Sequence, residues 1–168
     1  TLIKGLGGIE KTEEALDWFR SETIKAGFPG LDLQLTMRKS GSSITGIDSD
    51  KKETQSDIIN KLKFDGLTHY QFVHFTNIDR DYPEILEDVK REWNLIDEKY
   101  NIPYYVHVSV GWDNNPRFNM FRPGIVKNNT PENFEKALIM AKEYADRHPG
   151  QVPLITINSW NEWTETSY

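Results

Sequence analysis

Two glutamates three positions apart, Glu162 and Glu165, stand among Asn158, Ser159, Trp160, Asn161 and Trp163. Two carboxyl groups in one place can act as general acid and general base, and cleaving a glycosidic bond takes one of each. Indoles beside carboxylates suit sugars. The faces of a sugar ring are apolar and stack on aromatics, while its hydroxyls need hydrogen-bond acceptors and donors. The cluster follows the apolar, β-branched run Ile155-Thr156-Ile157, which predicts a buried strand. Burying so many polar groups is costly unless each is paired, and a strand end opening into a cleft relieves that cost. The plain alternative is a strand running into an acidic surface loop.

A second polar cluster also follows a predicted strand. Tyr104–Val110 alternates and is β-branched, and its exit reads Gly111-Trp112-Asp113-Asn114-Asn115-Pro116-Arg117. Trp112, Asp113 and Arg117 are therefore candidate sugar contacts, with Asn161 and Trp163. Arg117 has the alternative of pairing with Asp113 alone. His74 stands near the end of a third predicted strand, Leu67–Phe75, as a sugar contact or as a core histidine.

Helices must carry these strands. Thr12 predicts an N-cap, and Ala15, Leu16, Phe19, Thr23 and Ala26 form one stripe ended by Gly27. The glycines at 5, 7 and 8 lack the GxGxxG spacing of a phosphate loop, so residues 1–12 read as a flexible lead-in. Leu31–Thr36 reads as a strand. Residues 37–53 read as a solvated polar loop: Asp48, Asp50 and Glu53 lack the glycine and terminal glutamate of a calcium loop. A short helix spans roughly 54–64. Pro83 starts a long helix whose stripe runs Ile85, Leu86, Val89, Trp93, Ile96, Tyr100, which places Trp93 in the core. Thr130 and Pro131 start the last helix, lined by Phe134, Ala137, Leu138, Ala141 and Ala145.

The order is helix and strand in strict alternation, which predicts parallel strands with right-handed crossovers in one α/β domain, 1–168. Polar clusters fall only after strands, where active sites lie in (β/α)8 TIM barrels and in doubly wound sheets. Four β/α units are half a barrel. An open half leaves two strand edges unpaired, so the missing half of a longer chain, or a second copy, is expected to cover the edge. A doubly wound nucleotide-binding domain is the poorer fit, because no glycine-rich first turn is present.

Composition narrows the partners. The net charge of −6, from 20 basic and 26 acidic residues, argues against nucleic acid, which needs a basic surface. No apolar run is long enough for a membrane span. With no cysteine, disulfides and thiolate metal sites are excluded, although the compartment is left open. Aromatic residues make up 12%, compatible with a carbohydrate cleft.

The segment Ser159-Trp160-Asn161-Glu162-Trp163-Thr164-Glu165 resembles the NEWxE strand-end motif of glycoside hydrolase family 99, the endo-α-mannosidases. It is closer to their bacterial relatives, described as WbsX-type glycosyltransferase or family 99-like proteins. Those usually read WNEWxEGxxLEPD, with glycine where this chain has Thr166. Val110–Arg117 resembles the GWDNTPR segment of the same relatives, and Ala26–Leu31 resembles the stretch before one of their barrel strands. The resemblance implies a (β/α)8 barrel, of which this chain is the C-terminal half. It also implies retaining cleavage of α-linked sugars in an oligosaccharide or polysaccharide, with no metal or cofactor. Carried over, Glu162 is the base acting on the sugar's own 2-hydroxyl and Glu165 the general acid and base. Rival expectations are a polysaccharide-building glycosyltransferase and a non-catalytic carbohydrate-binding barrel.

Overall fold

A computed structural model describes residues 2–41 and 54–167. In chain order the elements are α1 (Leu2–Leu6), α2 (Ile9–Lys25), β1 (Gln34–Met37), α3 (Gln55–Lys61), β2 (Gly66–His69), α4 (Tyr82–Lys99), β3 (Tyr104–Tyr105), β4 (His107–Ser109), α5 (Pro131–Asp146) and β5 (Thr156–Asn158). Three 3-10 turns, Phe72–His74, Asn115–Arg117 and Trp163–Glu165, follow β2, β4 and β5. The architecture is mixed α/β. Strand order is β1-β2-β3 in one ladder and β4-β5 in the other, and both β2–β3 and β4–β5 pair parallel. Asp48, Asp50 and Glu53 of the predicted polar loop lie outside the described residues. The chain divides into two compact units, Thr1–Leu35 with Gly41–Gly66, and Thr36–Ser40 with Leu67–Tyr168.

In the first unit, Leu2–Leu6 is helical, Gly7 and Gly8 turn, and α2 has begun by Ile9, so this stretch is not a lead-in. Thr12 is not the N-cap. Gly8 holds that place at φ 107°, a left-handed value that favours glycine, and the buried Thr12 hydroxyl donates to the Gly8 carbonyl at 2.8 Å. The other end is as read. Gly27, at φ 91°, donates to Ile24, and Phe28 donates to Thr23, which closes a Schellman motif. Ile3, Ile9, Ile58 and Leu62 form the unit's core, with Leu16 and Phe64 against it. Phe19, on the predicted stripe, is 48% exposed. Thr54 caps α3, exchanging hydrogen bonds with Asp57 as a capping box.

In the second unit the predicted strand Leu67–Phe75 stops at His69. The chain then turns, so Tyr70 and His74 meet as stacked rings 6.0 Å apart rather than as alternate residues on one strand. The segment Tyr104–Ser109 serves both ladders: β3 pairs β2 on one side, and β4 pairs β5 on the other. One face of this sheet is apolar and lies under the helices. Leu67, Tyr104, Val106 and Val108 are buried, Trp93 of α4 and Tyr104 each meet Tyr144 of α5 edge-on, and α5 packs on β4. The other face is polar. There the Thr156 hydroxyl lies 2.9 Å from His107 Nδ1 and 3.4 Å from the Thr68 hydroxyl.

The last strand departs from its reading as buried. Ile157 pairs in register with Val108, which is fully buried, yet Ile157 is 53% exposed. It stands at the sheet edge, one strand beyond the cover of α5. The apolar pattern told which face Ile157 occupies, not whether anything lies over it.

Two buried histidines make stability depend on pH. Burial, with the charge of His107, lowers His69 to about 3. Burial, with the charge of His74, lowers His107 to about 4. His69 Nε2 lies 3.9 Å from Glu92; with a neutral ring this contact is not an ion pair. Both rings are neutral in the fold and gain protons below pH 6.5 when unfolded, so the unfolded state binds more protons and stability falls with pH. It is full above 6.5 and erodes downward toward 4 and 3. By pH 5 the loss should reach roughly 2 kcal/mol per histidine. Urea midpoints at pH 7.5 and 5.0 check this, and His107→Gln should flatten the dependence.

Candidate active site

The site is built from two strand exits. After β4 the chain passes Gly111, Trp112 and Asp113 into the turn Asn115–Arg117. After β5 it passes Ser159–Glu162 into the turn Trp163–Glu165. The two exits are laced together by hydrogen bonds to backbone carbonyls. The Asp113 amide donates to the Glu165 carbonyl at 2.8 Å, and the Thr166 hydroxyl to the Asp113 carbonyl at 3.2 Å. The Ser167 hydroxyl donates to the Gly111 carbonyl at 3.1 Å, and within the β5 exit the Ser159 amide donates to the Ser167 carbonyl at 3.1 Å.

Beneath them sits a buried polar layer. Gln71 donates to Asn158 through its carboxamide, and Ser109 accepts from the Phe72 amide at 3.0 Å. The Tyr82 hydroxyl donates to the Ser109 carbonyl at 2.5 Å; burial alone pushes that phenol well above its usual value, so it stays a neutral donor.

Arg117 joins the exits through side chains. Its Nη1 donates to Glu165 Oε1 at 2.5 Å, its Nη2 lies 3.3 Å from Glu162 Oε2, and its Nε donates to the Thr164 hydroxyl at 2.9 Å. One guanidinium thus meets both glutamates, which places their carboxyl groups on the same side of the turn. The Glu165 side chain is 9% exposed and that of Glu162 34%. Among the described residues, Glu165 Oε2, Asn114 Oδ1 and the Ser159 hydroxyl are buried without a hydrogen-bond partner. Leaving a buried polar atom unmet costs about 1–3 kcal/mol, and three such atoms gather at this one pair of strand exits.

The other candidates are distributed unevenly. Asp113 does not pair with Arg117. Its carboxylate takes the amide and side chain of Asn115, at 2.9 and 2.6 Å, and so shapes the turn. Trp112 is half-buried, Asn161 is exposed, and Trp163 and Trp160 are 63% and 92% exposed beside the glutamates. His74 is half-buried in the turn after β2, stacked on Tyr70; burial and the Arg38 charge lower its pKa. It is tied to neither glutamate among the described residues. Thr164, Gln71 and Ser167 were not singled out by the sequence. Thr164 lay inside the motif, but small hydroxyl residues carry no signal until their partners are seen.

A cavity of about 350 Å³ lies elsewhere, beside Asp97, Tyr104 and His148, at the start of β3. Its polar groups satisfy one another: Asp97 accepts from the Tyr144 hydroxyl and lies 3.3 Å from His148 Nε2. Among the described residues it presents no unmet group of the kind found at the strand exits.

Gly111 stands where a side chain has little room. A Cβ there would lie inside van der Waals contact of the Asn129 amide and 3.2 Å from the Thr166 carbonyl oxygen. Gly111→Ala should turn the Asn129 amide away from the Val110 carbonyl and press on the Thr166 backbone, costing about 1–3 kcal/mol and lowering activity. A urea midpoint and a turnover assay on the same preparation check this.

A family model described as Glycosyltransferase WbsX matches residues 6–168. Comparison with curated proteins gave no match.

Proposed function

The chain belongs to the WbsX glycosyltransferase family, a carbohydrate-active family, and on that premise we propose that it cleaves an α-linked glycan with retention of configuration. The single observation that carries this reading is the meeting of Glu162 and Glu165 on one guanidinium.

In the proposed reaction the Glu162 carboxylate takes the proton of the sugar 2-hydroxyl. The freed oxygen attacks the anomeric carbon. The glycosidic bond breaks, and Glu165 donates a proton to the departing oxygen. The products of this half are a 1,2-anhydro sugar and the released chain. Glu165, now ionised, takes a proton from water, whose oxygen attacks the same carbon. The 2-oxygen recovers its proton from Glu162, and both side chains return to their starting states. Two inversions give retention. Trp160 and Trp163 offer exposed aromatic faces for the sugar rings.

Parallel pairing is compatible with four β/α units of a (β/α)8 barrel, and the exposure of Ile157 supports a reading in which the rest of such a barrel, or a second copy, covers that edge. Size exclusion of this chain tests that arrangement: self-association supports it, and a stable, well-behaved monomer counts against it. The family description favours transfer as a second reading. Product chromatography on α-mannans and bacterial polysaccharides tests hydrolysis. Calorimetry with nucleotide sugars tests transfer, and tight binding without release of reducing sugar would replace the first reading with the second.

A further inference from the structure

We propose that Arg117 is a positioning residue for both glutamates: it anchors Glu165 by Oε1 and holds Glu162 within the span of the same guanidinium. This rests on the glycosidase reading above.

The geometry carries it. The side chain crosses from the β4 exit to the β5 exit and there meets three of four consecutive residues, Glu162, Thr164 and Glu165. A planar guanidinium presents donors in a fixed fork, whereas an ammonium is a point charge on a flexible stem. Three donors reaching three acceptors fix the rotation of the turn as well as its distance. The contacts are unequal. Glu165, nearly buried, takes the short bond at 2.5 Å, and Glu162, more exposed, the longer one at 3.3 Å. A buried carboxylate needs a partner, and this one has it on a single oxygen, since Oε2 has none among the described residues. Asp113, the other carboxylate of the β4 exit, is engaged by Asn115 and does not compete for the guanidinium. Removing Arg117 would leave the two carboxyl groups without the guanidinium that both of them meet.

The test compares Arg117→Lys and Arg117→Ala with the parent chain, on whichever α-mannan or bacterial polysaccharide the parent cleaves. The alanine variant should lose about 10²-fold in kcat with KM within about threefold, because an interaction that orients reacting groups acts on the chemical step. Lysine should restore only part of the loss, and added guanidinium chloride should restore part of it in the alanine variant. An unchanged kcat, or a rise in KM alone, would overturn the proposal, the latter by making Arg117 a substrate contact. Should alanine prevent folding, the lysine variant carries the comparison. A second readout needs no turnover: the side-chain carboxyl carbon resonances of Glu162 and Glu165, assigned by NMR. Both should move in Arg117→Lys, and if neither moves the proposal falls. A parent chain that cleaves nothing, with both resonances moving, would end the glycosidase reading and leave the positioning role standing.

Discussion

Replacing Glu165 by glutamine is expected to lower glycan turnover by about 10²–10⁴-fold, the range for a positioned acid or base. Glutamine keeps the shape of the side chain and can still accept from Arg117 Nη1 through its oxygen, so the turn Trp163–Glu165 should hold. It cannot give up and regain a proton as a carboxyl does. Glu162→Gln should lose activity on the same scale and is the safer variant for folding, since that side chain is 34% exposed. Turnover on α-mannan and bacterial polysaccharides, with a melting curve for each variant, is the check. Unchanged hydrolysis in both would remove the glutamates from the reaction. Loss in one alone would leave a single essential carboxyl and break the proposed division of roles.

The largest effect on stability is expected at Trp93. Its side chain is 1% exposed on α4, between Val89 and Ile96 on the same stripe, and meets the Tyr144 ring edge-on at 5.7 Å. Trp93→Ala removes a whole indole from a packed interior and should cost about 3–5 kcal/mol. The site should weaken with it, because α5 also packs on β4, whose exit carries Arg117. Phenylalanine should cost much less. The Trp93 indole N–H is buried without a partner among the described residues, so removing it relieves an unmet donor while most of the ring contact remains. Denaturant midpoints for the two variants check this; an alanine variant as stable as the phenylalanine one would mean that the interior closes over the gap.

What could be read from the sequence divides by range. The long helices were legible because their signals are local and repeated: Pro83 and Thr130 at the starts, the stripe through Trp93, the stop at Gly27. The last strand was legible as a pattern and misread as buried. Ile157 carries the apolar signal of a covered position, and exposure depends on what lies beyond the edge. The stretch Leu67–Phe75 was read as one strand because Tyr70, Phe72 and His74 alternate well. The Ser109 hydroxyl takes the Phe72 amide and the chain turns there, a contact 37 residues away that no local pattern contains. Thr12 looked like a cap and is an interior threonine bonded to the carbonyl one turn back.

The site was legible in its residue types and only partly in its geometry. Glu162 and Glu165 could be named from spacing and company. Arg117 was visible as a candidate sugar contact, and the alternative of pairing with Asp113 alone does not hold: Asp113 shapes the loop, and the guanidinium reaches 45 and 48 residues onward. Thr166 shows how a departure gains meaning. It stands where the resembling sequences carry glycine, and it sits at φ 51°, ψ 41°, a left-handed conformation that β-branched residues seldom adopt. Its hydroxyl bond to the Asp113 carbonyl helps hold that conformation here.

The most direct single measurement is the anomeric configuration of the first sugar released from an α-mannan or bacterial polysaccharide, followed by proton NMR before mutarotation. Two carboxyl groups acting in turn through a 1,2-anhydro sugar give the α-anomer first. A first product in the β-configuration, or no release from any α-linked glycan tried, would contradict the proposed chemistry of Glu162 and Glu165.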